Sequence, residues 1–137
     1  MSITEIQNEI VEEFELFDDW EDKYAHLIEL GKKLAPLPEL YKTDALKVKG
    51  CQSSVWLYAE VLQGRVVYTA DSDALIVKGL VSLLIKLFNH QTPKDIATEN
   101  IFVLEKIGMQ QHLSMTRANG LDAMLKQMKA YAVSLAQ

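Results

Sequence analysis

Ser53-Ser54-Val55-Trp56-Leu57-Tyr58-Ala59-Glu60-Val61-Leu62-Gln63-Gly64-Arg65-Val66-Val67-Tyr68-Thr69 is the stretch that decides the fold. Residues 53–62 are rich in β-branched, aromatic and aliphatic strand formers. Gln63-Gly64 reads as a turn, and Arg65 to Thr69 as the returning strand. A lone two-stranded hairpin is marginal in water. A third strand is therefore expected, with residues 45–49 as its candidate.

Downstream, Asp71-Ser72-Asp73 offers three side-chain oxygens as an N-cap for the most apolar segment, Ala74 to Phe88. Only Lys78, Ser82 and Lys86, four apart, interrupt its apolar surface, marking one narrow wet stripe. This is the central helix. Gly79 inside it costs helix propensity, which suggests close packing on a neighbour.

Upstream, Ser2 and Glu5 have capping-box spacing. Ile3, Ile6, Ile10, Phe14 and Phe17 then recur at helical intervals, giving a first helix over 3–17. Asp18-Asp19 caps a second helix that runs to about Leu34, with Gly31 on its inner face. Pro36 and Pro38 end it. Thr92-Pro93-Lys94-Asp95 starts a short helix to about Thr98. Another turn or two over 103–107 ends at Gly108, and Ser114 caps a last helix over 115–135. These elements predict one α+β domain over 1–137, with helices around a small antiparallel sheet.

Composition removes several function classes. A net charge of −5 argues against a nucleic-acid binder, which needs clustered Lys and Arg. Residues 1–22 carry nine of the acids and no Lys or Arg, and read as a solvated helix face. No apolar run approaches the length of a membrane span, and the N-terminus lacks the pattern of a secretory signal. The single cysteine, Cys51, suits a reducing compartment, so a cytoplasmic location is expected.

Cys51 is the candidate chemical centre. It follows Gly50 and precedes the polar Gln52-Ser53-Ser54, where a loop enters the first strand. A buried structural cysteine is the plain alternative. The loop-tip context and nearby Lys47 and Lys49 favour a reactive thiolate. A free-standing thiol hydrolase would also need a base. Of the three histidines, His26 reads as a surface residue and His90 as the end of the central helix. Only His112, in a polar loop, is available as a partner for Cys51. One cysteine and three scattered histidines lack metal-ligand spacing, and iron–sulfur ligation needs more cysteines. Asp71 and Asp73 are a carboxylate pair that helix capping explains. Arg117 lies where a cation opposes the last helix's dipole, and positions 117, 121 and 124 share a face.

Four ordered motifs carry a family resemblance. Gly50-Cys51-Gln52-Ser53-Ser54-Val55-Trp56-Leu57 resembles the cysteine motif of the SufE family of sulfur acceptors, which includes the CsdE type. Trp20-Glu21-Asp22-Lys23-Tyr24 with Leu27-Ile28-Glu29-Leu30-Gly31 resembles its second helix. Asp71-Ser72-Asp73-Ala74 with Ile76-Val77-Lys78-Gly79-Leu80 resembles the start of its central helix, and Gln111-His112-Leu113, Arg117, Asn119-Gly120-Leu121 and Met124 resemble its C-terminal motif. Ser114-Met115 stands where the family usually has Thr-Pro, and 39–49 shows little family pattern.

The resemblance implies an α+β fold similar to the IscU scaffold. It implies a non-enzymatic partner of a SufS- or CsdA-type cysteine desulfurase, whose pyridoxal phosphate belongs to that enzyme. The chain itself would carry no cofactor and no metal. Cys51 would take a persulfide sulfur and pass it to a SufBCD-type scaffold for iron–sulfur cluster assembly. Gln52, Ser53, Asp73, His112 and Arg117 match the family's supporting or partner-facing positions. A protected, mobile cysteine loop is also implied. Monomer and homodimer both stay open.

Overall fold

The computed structural model describes residues 1–136. Helix α1, Ile3–Glu15, begins with the expected capping box: Ser2 Oγ accepts from Glu5 N–H and Glu5 accepts from Ser2 N–H, both at 3.1 Å. It stops two residues early, because Leu16 and Phe17 tighten into i→i+3 bonds to Glu13 and Phe14. Helix α2, Trp20–Lys32, is capped by Asp19.

Strands β1, Val55–Leu62, and β2, Arg65–Ser72, pair antiparallel from Val55 opposite Ser72 to Leu62 opposite Arg65. Gln63 and Gly64 both have positive φ, 54° and 77°, the backbone of a tight two-residue hairpin. Val55, Leu57, Val66, Tyr68 and Ala70 point into the core. On the opposite face, Tyr41 stacks on Tyr58 with ring centroids 4.5 Å apart, and Lys42 lies over Trp56.

Among the described residues the expected third strand does not form. Residues 45–49 supply a single bridge, Lys47 opposite Trp56, with Val48 N–H donating to Val55 O at 2.8 Å. A 3₁₀ turn over Asp44–Leu46 and the positive φ of Gly50, 96°, bend the chain out of register on either side. The other edge is met the same way, by a lone bridge from Val66 to Gln91.

Helix α3, Leu75–Phe88, is the central element and packs on α1, α2, β2 and α6. The Asp71-Ser72-Asp73 cap is corrected: β2 continues through Ser72, and the helix is entered at Ala74 without a side-chain cap on the helix amides. Asp71 instead pairs with Lys42 at 2.9 Å and Lys78 at 3.2 Å. Burial opposes its charge, but these lysines and the Ser72 amide outweigh it and hold the carboxyl below its usual range. The wet stripe is also a seam between elements. Ser82 donates to Leu30 O at 3.1 Å, and Lys86 reaches Glu13. The contact of α2 with α3 is set by two glycines. A Cβ on Gly31 would lie 2.8 Å from Gly79 N, and one on Gly79 2.7 Å from the Leu27 carbonyl carbon.

Helices α4, Pro93–Thr98, α5, Val103–Lys106, and α6, Met115–Leu135, follow the expected order. Thr92 caps α4, Gly108 takes φ +74° after α5, and Ser114 caps α6. His26 is not a surface residue. It is half-buried between Phe14 and Phe17, with Nε2 2.7 Å from Glu13 Oε2. Gln7, fully buried on the apolar face of α1, accepts from Phe102 and Val103 N–H at the uncapped start of α5 and donates to Asn100 O. No helix among the described residues is long and apolar enough to cross a membrane.

Candidate functional site

The cysteine loop hangs between two pins. On one side Val48, buried, is bonded to β1. On the other, Ser54 N–H donates to Asp73 Oδ1 at 3.1 Å, and Ser54 O accepts from Ser72 Oγ and Asp73 N–H. Between them Gly50 turns the chain towards α6, where an added Cβ would be 3.2 Å from Ala123 Cβ. Cys51 therefore lies against α6, half-buried, with Sγ 3.5 Å from Gly120 O.

This corrects one expectation: the lysines do not make the loop thiol a ready thiolate. The exposure of the thiol, which the residues alone left open, is intermediate. Lys47 and Lys49 are exposed, and burial pushes the Cys51 thiol up from its ordinary value. Attack by sulfur needs the thiolate, so reactivity should climb with pH through a midpoint higher than that of a free thiol. Alkylation of Cys51 by iodoacetamide across a pH series, beside a small reference thiol, tests this. A Cys51 midpoint at or below the reference would contradict it.

The thiol lines a cavity of about 320 Å³. Gln52 and Ser53 come from the loop, Val77 and Leu80 from α3, and Ser114, Thr116, Arg117, Gly120, Leu121 and Met124 from α6 and its cap. The structure thus brings Cys51, Gln52, Ser53 and Arg117 to one place. Asp73 stands behind the loop as the partner of Ser54. His112 lies outside the cavity lining. Its ring stacks on Trp20 at 4.0 Å, Nδ1 is 2.9 Å from Gly108 O, and its carbonyl accepts from Tyr24 OH. It ties α2 to the entrance of α6. Among the described residues, no group of three or more His, Cys, Asp or Glu side chains is placed to hold a metal ion.

Sequence reasoning missed Val77, Leu80, Ser114 and Thr116 as lining residues. Their signal was available: Val77 and Leu80 are three apart on α3, and 117, 121 and 124 already marked the facing side of α6.

A family model described as SufE, an Fe-S metabolism associated domain, matches residues 8–132. The chain belongs to the SufE family. A SufE relative, an uncharacterized SufE-like protein of Rhizobium meliloti (strain 1021), is 37% identical over 130 residues, spanning 91% of this chain and 93% of the relative. In fold, this SufE chain is similar to the solution structure of a hypothetical protein from Thermus thermophilus, with TM-score 0.79 and 96% of each chain covered. That likeness, at 21% identity, concerns the α+β architecture alone.

Proposed function

We propose that this SufE-family chain accepts sulfur from a cysteine desulfurase and hands it on for iron–sulfur cluster assembly. Cys51 is the acceptor. Its thiolate attacks the outer sulfur of a persulfide on the partner's cysteine. A new S–S bond forms at Cys51, the partner's S–S bond breaks, and the partner's cysteine leaves as thiolate. Pyridoxal phosphate belongs to the partner enzyme. The sulfur then passes from Cys51 to a SufBCD-type scaffold. One unpaired cysteine suits the reducing cytoplasm.

The observation that supports this reading best is the setting of Cys51: a half-buried thiol, its pKa pushed up by burial, beside an apolar-floored cavity. The Gly120 carbonyl accepts the thiol's hydrogen bond and is no general base. Such a thiol gains most from a donor that presents sulfur to it in the right place. Positioning two sulfurs in contact is worth up to roughly 7–11 kcal/mol, far more than tuning a thiol pKa. Gln52, Ser53 and Arg117 edge the cavity, Asp73 steadies the loop base, and His112 fixes the approach to α6.

The test is intact mass after mixing the chain with a cysteine desulfurase and cysteine. A gain of one sulfur atom, mapped to Cys51, is expected. Desulfurase turnover without any sulfur on Cys51 would refute the proposal.

A further inference from the structure

The cavity beside Cys51 is larger than one sulfur atom requires. At about 320 Å³ it falls within the range that holds small molecules. Its walls are chemically sorted. Val77, Leu80 and Met124 give an apolar floor, and Ser53 with the exposed Ser114 and Thr116 lines the polar side, Ser114 Oγ also capping α6. Among the described residues, Arg117 supplies the one charge in the lining, no Asp or Glu lines the cavity, and Arg117 makes no ion pair. The nearest acid in the loop framework, Asp73, is engaged with Ser54 N–H. A nucleophilic sulfur, an exposed guanidinium with no ion pair among the described residues, and a serine- and threonine-lined side around one small cavity match a compact oxyanion that carries a transferable sulfur.

We infer that Cys51 also takes sulfur directly from a small sulfane oxyanion of the thiosulfate class, seated in this cavity on Arg117. The step balances. The Cys51 thiol loses its proton to solvent, and its thiolate attacks the outer sulfur of the anion. The Cys51 S–S bond forms as the anion's S–S bond breaks, and the electron pair leaves on sulfite. Cys51 is oxidised to the persulfide level while the sulfonyl sulfur is reduced. The inference shares Cys51 as carrier with the proposed function but needs no protein donor.

The experiment uses the full chain with sodium thiosulfate and no desulfurase, reading intact mass and released sulfite. One sulfur on Cys51 per sulfite is expected, with a rate that saturates in thiosulfate. Arg117→Gln should lower the rate at subsaturating thiosulfate by about tenfold or more, the worth of one charge-assisted contact. Arg117→Lys should recover part of it, with circular dichroism confirming that both variants are folded. No sulfur gain, a rate linear in thiosulfate and equal to that of a free thiol, or an undiminished Arg117→Gln would each overturn the inference. A parallel arm replaces thiosulfate by a cysteine desulfurase and cysteine. Loading there but not from thiosulfate overturns this inference and leaves the proposed function standing; loading from thiosulfate alone does the reverse.

Discussion

Cys51→Ser is expected to abolish sulfur uptake and to return a stimulated desulfurase to its unstimulated turnover. A hydroxyl is not a competent nucleophile without an adjacent base, and the neighbour of this position is the Gly120 carbonyl. The fold should survive. Serine is smaller than cysteine, and its hydroxyl can donate to the same carbonyl. The pins at Val48 and Ser54 do not involve the Cys51 side chain. The variant therefore separates binding from chemistry. It should still associate with the desulfurase, and its melting temperature should stay within a few degrees of the parent. Stimulation that persists in Cys51→Ser would mean that the chain acts by binding alone.

The largest stability effect is expected at Gly79. An alanine there would place its Cβ 2.7 Å from the Leu27 carbonyl carbon and closer still to the oxygen. The obstacle is backbone in the middle of α2, not a side chain that can swing away. Alanine gains up to about 1 kcal/mol in helix propensity, but α2 must move off α3 to admit it. That separation strips contacts from Leu27 and Leu80, both fully buried. A net loss of about 2–4 kcal/mol is expected, lowering the melting temperature by roughly 10 °C. The reciprocal Gly31→Ala, with its Cβ 2.8 Å from Gly79 N, should act in the same direction. A Gly79→Ala protein as stable as the parent would show that α2 yields at little cost.

Legibility in the sequence followed the range of the interactions. Caps and turns are local, so Ser2, Asp19, Thr92 and Ser114 were readable as helix starts, and Gln63-Gly64 as the hairpin turn. Gly79 announced a close contact because glycine has little other reason to sit in an apolar helix. The failures involve partners distant in the chain. Asp71 and Asp73 looked like caps, yet Lys42 and the Ser54 amide claim them from 29 and 19 residues away. Gln7 gave a signal that was passed over, a polar side chain on the apolar face of α1. Its partners, near position 100, could not be named from pattern. At the site, Cys51 was legible from its flanks, and Arg117 from its place against the dipole. The thiol's partial burial was not fixed by the residues themselves, because it depends on α6 lying against the loop; a protected loop was implied only by the family resemblance.

The two pins of the cysteine loop also set a radius of action. Cys51 lies three residues from Val48, a reach of roughly 10 Å even with the chain fully drawn out. The sulfur cannot travel farther than that, plus its own side chain, while the bond from Val48 to Val55 holds. Under the proposed function, a protein that delivers sulfur and one that receives it must both come inside this radius. They would contend for one berth on the surface above α6, so that delivery has to wait for the donor's departure.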